Sequence, residues 1–208
     1  MEVYETEEQQ VEAVKKWFKE NGVSLIFGVV IGLSSIGGWK YYQEDQNTHS
    51  VQASEIFVSL SNQILEGKDA AAFSQHAEEL ANNYSDTPYA ALASLMLAKH
   101  DYENGKTQAA ISKLSWASKN AQDVETQHVA KTRLIRVYLS EDMFEEAEAL
   151  LNMQHPESFD ASYEELKGDL LVDKNELAGA RVAYDKAILL SGANVNPLLQ
   201  LKRQQLGN

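Results

Sequence analysis

The chain has 208 residues, enough for one domain of ordinary size plus an appendage, and 44% of them are hydrophobic, which is normal for a globular core. Acidic residues outnumber basic ones 31 to 18, and 25 acids against 14 bases follow residue 40. Because such a surface repels phosphate groups, the composition argues against nucleic-acid binding through a basic face and favours protein partners. With no cysteine, disulfides and thiol chemistry are excluded.

Residues 1–20 predict an acidic tail followed by an amphipathic segment. The first ten residues hold four glutamates and no basic residue, a composition typical of a mobile tail. After them, apolar side chains recur at helical spacing around three lysines: Val11, Val14, Trp17 and Phe18 around Lys15, Lys16 and Lys19. The pattern fits equally a short helix in the headgroup layer and an elongated end of a membrane helix.

Residues 21–42 predict a transmembrane anchor. No charged residue occurs between Glu20 and Lys40, and a helix of this length spans the roughly 30 Å hydrocarbon layer. Its end carries the aromatic side chains expected at a membrane interface: Trp39, Tyr41 and Tyr42. Because signal-peptide cleavage needs small residues at this exit, we interpret the segment as an uncleaved anchor. A cleaved signal peptide and a buried soluble helix are the alternatives.

The lysines around the anchor predict its orientation. Three of them precede the span closely, whereas Lys40 is the only one after it until Lys68. The positive-inside bias therefore predicts that residues 1–20 lie in the cytoplasm and that the domain after the span lies on the other side of the membrane. In a Gram-negative bacterium that side is the periplasm. Two small-residue pairs in the span would let a second helix approach, although such pairs are also frequent by chance: Gly28 with Gly32 and Ser34 with Gly38.

Residues 43–52 are interpreted as a linker and residues 53–208 as an all-helical domain. Apolar residues recur with the helical period throughout, and no alternating run is long enough to predict a strand. Breaks marked by Gly, Pro, Asn and Asp separate segments of ordinary helix length: 67–69, 85–88, 104–105, 141–142, 155–156, 174–175 and 192–197. The predicted fold class is thus all-α, with one N-terminal transmembrane helix.

An internal repeat runs through this domain. Small residues and turn residues recur at matching positions in two copies of the repeat. The first copy has Ala98, Gly105, Ala110 and Ala117, and the second has Gly168, Asn175, Ala180 and Ala187. Leu114 of the first copy corresponds to Tyr184 of the second. A divergent copy between them puts Ala147 37 residues after Ala110 and 33 before Ala180. These intervals bracket the tetratricopeptide period of about 34 residues and predict an α-solenoid. An unrelated helical bundle is the alternative.

The repeat assigns roles to several residues. Small residues at 98, 110, 168 and 180 are expected where the two helices of a pair cross. Residues 53–84 are expected to form a fourth, degenerate pair, and residues 198–206 a capping helix. The inner helices should present eight residues to the concave side: Leu95, Lys99, Tyr102, Thr132, Arg136, Leu139, Glu165 and Asp169. Such a surface suits an extended or helical peptide, although the same residues could simply face solvent.

No catalytic or metal-binding pattern is recognisable. Phosphate loops and the nucleophile, zinc-protease and dithiol motifs are missing from the sequence, so we expect no enzyme activity, no cofactor and no metal. The five histidines are scattered without ligand spacing and are expected at surfaces or turns. Adjacent glutamates, such as Glu164 and Glu165, are expected on solvated faces. A hydrolase on a helical scaffold is the alternative.

Five stretches of the sequence form a recognisable series from the first residue to the last repeat: the opening MEVYETEEQQVEAVKKWFKENG, then GVVIG and GWKYY, then YAALASLMLA, and finally LKGDLL leading into GARVAY. Together they cover nearly the whole chain, and they resemble the YfgM family, the ancillary subunit of the bacterial SecYEG translocon. The resemblance implies a bacterial inner-membrane protein with one helix, a cytoplasmic N-terminus and a periplasmic tetratricopeptide-like domain. It also implies association with the translocon and the periplasmic chaperone PpiD, in handing secreted chains to chaperones.

These lines of reasoning lead to one expectation of function and one rival. The chain is expected to act as a membrane-anchored adaptor beside the SecYEG translocon, where secreted client proteins are possible partners. The rival is a membrane-bound regulator or sensor that binds a cytoplasmic signalling protein through the segment before the span.

Overall fold

A computed structural model describes residues 7–68 and 70–207 and confirms the all-α prediction, since these residues contain no strand. Within these described residues, nine α-helices follow one another: α1 Glu7–Leu65, α2 Ala70–Asn83, α3 Pro88–Glu103, α4 Thr107–Asn120, α5 Val124–Ser140, α6 Phe144–Leu151, α7 Asp160–Asp173, α8 Leu177–Ser191 and α9 Pro197–Gln205. Short 3₁₀ helices occupy Glu157–Phe159 and Gly192–Asn194. The chain divides into two units, one up to Val51 and one from Gln52 to Asn208.

Helix α1 is one continuous helix of 59 residues whose apolar stretch is long enough to cross a membrane. The side chains of this stretch are exposed, with Ile26 and Leu33 each more than 60% accessible. Because no break occurs near residue 20, the amphipathic segment is an extension of the apolar helix, the second of the two readings allowed by its pattern. Residues 43–52, treated above as a linker, are helical too, since they contain neither Gly nor Pro. Residues 1–6 of the expected tail lie outside the described residues.

The second unit consists of four helix pairs and a final helix. The pairs are the end of α1 with α2, α3 with α4, α5 with α6, and α7 with α8. All four turns share one geometry, with a left-handed residue at Gly67, Gly105, Asp142 and Asn175. The next amide in each turn donates to the carbonyl five residues back, as from Lys106 to Asp101 at 2.8 Å. This is the Schellman arrangement, for which Gly and Asn are the favoured residues.

Small residues lie where paired helices cross, as the repeat predicts. Ala98, Ala110 and Ala180 are at most 1% exposed. At Gly168 an added Cβ would lie 2.3 Å from a ring carbon of Tyr184, so only glycine leaves room for this tyrosine. The close approach of α7 and α8 therefore depends on a residue without a side chain.

Four apolar clusters hold the pairs together, and each of the first three includes the first helix of the following pair. Leu60 and Phe73 pack with Leu97 of α3. Leu95 and Leu114 pack in turn with α5, and residues of α5 and α6 pack with Leu166 of α7. The last cluster joins Tyr184 and Ala187 of α8 to Leu199 of α9. Because Leu199 is only 2% exposed, α9 covers the end of the last pair, as predicted for the capping helix.

The predicted breaks all separate helices, although Asp69, in the first of them, lies outside the described residues. One further break, between α4 and α5, was missed by the sequence analysis. It ends at Asp123, whose carboxylate accepts a hydrogen bond of 2.6 Å from the Thr126 amide and caps α5. An aspartate before a helical run is a recognised N-cap signal, so the sequence did contain the information.

Candidate protein-binding surface

Two neighbouring grooves contain most of the residues predicted for the concave side. Their walls come chiefly from α3, α5 and α7, the first helices of consecutive pairs, which contact one another in that order. The cationic groove is lined by Leu95, Ala98, Lys99, Tyr102, Leu114, Arg133, Arg136 and Val137. The acidic groove is lined by Arg136, Leu139, Ser140, Asp169, Val172, Asp173, Tyr184 and Lys202. Arg136 belongs to both, so the two grooves adjoin.

The cationic groove has an apolar floor and a basic rim. Its floor consists of buried residues such as Leu95, Leu114 and Val137, and its volume is about 240 Å³. On the rim, Lys99 has only an exposed contact of 3.7 Å with Glu103. Within the described part of the chain, no carboxylate forms an ion pair with either arginine of this groove. These two guanidinium groups are therefore available to an external acid.

Tyr102 has a structural role that the sequence did not reveal. Its hydroxyl donates a 2.9 Å hydrogen bond to Ser140 Oγ, and the Ser140 hydroxyl donates in turn to the Val137 carbonyl at 2.8 Å. This bond ties α3 to α5. The tyrosine side chain remains 39% exposed, so it both positions the groove and offers apolar area to a partner.

The acidic groove is partly occupied by the chain's own C-terminal helix. The Lys202 ammonium of α9 donates to Glu165 at 2.8 Å and to both Asp169 oxygens at 2.8 and 2.9 Å. Burial lowers the pKa of Lys202, but its bonds to Asp169 and Glu165 outweigh this and leave that pKa raised. Asp169 lines this groove, as expected for the concave side, but it and Glu165 also hold α9 in place through Lys202.

Asp169 also anchors Tyr184, whose hydroxyl donates to it at 2.7 Å. Burial and this bond to a carboxylate both raise the pKa of Tyr184, so the phenol stays protonated. Asp173, beside them, has no ion-pair partner among the described residues. Partial burial, with Asp169 and Asp142 nearby, raises the pKa of Asp173 above its ordinary value. With Glu165, Asp169 and Asp173 set against Lys202 and Arg136, this end of the surface keeps one negative charge in excess.

Two other predictions need correction. Thr132 is only 6% exposed, and its hydroxyl donates to the Val129 carbonyl at 3.0 Å, so it lies beneath the surface. Glu164, expected on a solvated face, forms an ion pair with Lys186. Both differences arise because an inner helix of a solenoid has neighbours on several sides, whereas a two-sided pattern assumes only one.

One histidine is buried, contrary to the prediction for all five. His128 is 4% exposed, its Nδ1 lies 2.9 Å from the Tyr163 hydroxyl, and Phe159 packs beside its ring. His155 stacks on the Tyr163 ring, with ring centroids 3.9 Å apart. Burial lowers the pKa of His128, with a smaller effect from Lys131. Its position seven residues before Ile135, on the same face of α5, was the available signal.

The small residues of the apolar helix lie on its open surface. A Cβ built at Gly28, Gly32 or Gly38 meets no atom within 4 Å. At about 100° per residue, the Gly28–Gly32 pair and the Ser34–Gly38 pair occupy different faces of α1. They are two possible helix contacts, not one continuous stripe.

Comparisons with known proteins cover the whole chain. A family model described as a tetratricopeptide repeat-like domain matches residues 15–208. The chain is 31% identical over 209 residues to an Escherichia coli K12 protein named Ancillary SecYEG translocon subunit, covering 100% of this chain and 98% of that protein. The chain belongs to the YfgM family. A Haemophilus influenzae protein of the same name is 30% identical over 202 residues, with 97% of each chain covered.

More distant members of the family align over nearly the same length. A Neisseria gonorrhoeae protein, also named Ancillary SecYEG translocon subunit, is 22% identical over 202 residues, covering 96% of this chain and 97% of that protein. No solved structure matches the chain. The YfgM assignment confirms the family resemblance and the tetratricopeptide-like repeat predicted from the sequence.

Proposed function

We propose that the chain is a membrane-anchored, non-catalytic adaptor that associates with the SecYEG translocon and helps pass secreted proteins to periplasmic chaperones. The observation that carries this proposal is the full-length similarity to proteins named ancillary SecYEG translocon subunits, which extends through both the apolar helix and the repeat domain. A relative sharing only the repeat would support the binding module but not its place in the membrane.

The proposed topology follows from the charges beside the span. Residues 1–20 lie in the cytoplasm with their three lysines, residues 21–42 cross the bacterial inner membrane, and the domain from residue 53 lies in the periplasm. The exposed small-residue pairs at Gly28 and Gly32 and at Ser34 and Gly38 are proposed contacts for a helix of the translocon or of the chaperone PpiD.

Tethering gives the adaptor its physical advantage. A groove of a few hundred cubic ångströms with two free guanidinium groups binds a peptide segment only weakly by itself. Anchored beside a channel, the same groove meets each emerging chain at a high effective concentration, without any new contact. Weak binding also permits rapid release to the next chaperone, which a handover requires.

The concave surface is the proposed partner site of the domain. Leu95 and Leu139 supply buried apolar area, and Lys99, Tyr102 and Arg136 supply the groups that a peptide can contact from outside. Candidate partners are a segment of PpiD and segments of secreted clients. Asp169 contributes indirectly, by holding the capping helix that closes one end.

Photo-crosslinking in living cells tests the proposal. One probe replaces Leu33, beside Gly32, and a second replaces Glu103, beside Tyr102; a control probe replaces Lys119 on the outer helix α4. We expect translocon subunits or PpiD from the first probe, PpiD or secreted chains from the second, and neither from the control. Capture of only a second copy by the span probe, with nothing on the domain probe, would contradict the adaptor function.

A further inference from the structure

The two grooves on the concave surface carry opposite charges that the chain does not neutralise. In the cationic groove, Arg133 and Arg136 have no ion-pair partner among the described residues, and Lys99 has only the exposed contact with Glu103. Around the acidic groove, three carboxylates, Glu165, Asp169 and Asp173, stand against two cationic groups, Lys202 and the shared Arg136, so one negative charge is in excess. The surface is thus divided into a positive and a negative half.

The apolar groups lie between and beneath these charges. The floor of the cationic groove consists of Leu95, Leu114 and Val137. The apolar lining of the acidic groove includes Leu139 and Val172. A partner that fits both halves therefore needs apolar side chains at its centre as well as charges at its ends. An anionic lipid or phosphate group would satisfy the positive half but be repelled by the negative half.

Helix packing sets the spacing of these charges. The cationic groove lies between α3 and α5, and the acidic groove between α5 and α7. Packed helices lie about 8–10 Å apart, so the two grooves are separated by about the same distance. An extended peptide covers that distance with about three residues.

From this arrangement we infer that the concave surface recognises a peptide segment with segregated charges: acidic residues in the cationic groove, basic residues in the acidic groove, and an apolar residue between them. The inference rests on the proposed function, because it names the chemistry of the segment that the adaptor binds. Segregation of charge, and not net charge, is the property selected.

Synthetic fluorescent peptides provide the test, with the full-length protein in nanodiscs of zwitterionic lipid. The first peptide has two glutamates, a leucine-containing centre and two lysines; the second has the same residues with the charges alternating; the third has lysines at both ends. Anisotropy titrations at low salt should show the segregated peptide binding at least about fivefold more tightly than the alternating one.

Variants assign the effect to the grooves. The R133E/R136E protein should bind the segregated peptide at least about tenfold more weakly, and it should bind the peptide with lysines at both ends more tightly than the unmodified protein does. Misfolding cannot produce this gain in affinity. The K106E/K119E protein changes the net charge equally at exposed positions outside both grooves, and it should bind as the unmodified protein does. Circular dichroism checks that both variants remain helical.

Equal binding of the segregated and alternating peptides would overturn the inference, as would equal losses in the two double variants or no binding of any peptide up to about 1 mM. The span probe at Leu33 separates this failure from failure of the adaptor function. If that probe still captures translocon subunits while the peptides do not bind as expected, only the inference about segregated charges is contradicted. Loss of the span capture would instead count against the proposed function.

Discussion

Replacing Gly168 with alanine tests the packing of α7 against α8. The new Cβ would lie 2.3 and 2.4 Å from two ring carbons of Tyr184, well inside van der Waals contact. The ring has no free direction to move, since Tyr184 is 2% exposed and its hydroxyl is bound to Asp169. The helices must therefore separate, or the hydrogen bond must break.

The magnitude follows from two opposing effects. Overpacking of a well-packed site costs about 1–3 kcal/mol, whereas Gly to Ala in a helix interior returns about 1 kcal/mol. Because approaches of 2.3 and 2.4 Å place this site in the upper half of that range, at about 2–3 kcal/mol, we expect a net loss of about 1–2 kcal/mol in the free energy of unfolding. Gly179→Ala is the matched control, because the nearest atom to its Cβ is the end of the flexible Leu171 side chain at 3.3 Å. That variant should be at least as stable as the unmodified protein, with a gain of up to about 1 kcal/mol from the higher helix propensity of alanine.

The free energy of unfolding of both variants is measured by urea unfolding of the full-length protein in nanodiscs, monitored by circular dichroism. A double variant, G168A/Y184L, sharpens the test, because it reproduces the Ala98 and Leu114 combination of the second pair. It should recover part of the lost stability, although it forgoes the tyrosine hydrogen bond. If G168A is as stable as the unmodified protein, or if G168A/Y184L is no better than G168A, the close-approach argument is refuted.

Three further predictions concern separate parts of the domain. Burial lowers the pKa of His128 in the folded protein, so its contribution to the free energy of unfolding should be fully present above pH about 6.5 and should be lost as the pH falls below that value. His128→Gln should make the free energy of unfolding less dependent on pH in urea titrations at pH 5 to 8. Asp123→Ala should lower the stability by about 1 kcal/mol by removing the α5 cap, measured in the same way at pH 7. The Y102A/R136A protein should reduce crosslinking at Glu103 by more than about tenfold while crosslinking at Leu33 persists; unchanged capture at both would remove the concave site.

The sequence predicted the helices well because the signals for them are local. Apolar periodicity, Gly105 and Asn175 at left-handed turn positions, and the alanines at helix crossings all depend on residues within one repeat. The missed break before Asp123 is of the same local kind, since this N-cap begins α5 within a stretch that contains no Gly or Pro. It was missed because Ala121 and Gln122 read as helix formers.

The candidate site was predicted less completely because its state depends on distant partners. The sequence correctly assigned Leu95, Lys99, Tyr102 and Arg136 to neighbouring inner helices, and these residues do line one groove. It could not reveal that Lys202, 33 residues after Asp169, neutralises that carboxylate. Nor could it reveal that Tyr102 reaches Ser140, because both contacts depend on how the pairs are stacked and not on their internal pattern.

The staggered apolar clusters have a consequence for how the domain is made. Each of the first three needs a helix from the following pair, and the last waits for Leu199 in α9. During synthesis, no pair can complete its core until the next has emerged, and the final nine-residue helix closes the last one. A chain stalled before residue 197 would leave the apolar surface that Leu199 covers exposed to solvent, so even a short C-terminal stretch is needed to complete the core of the last pair.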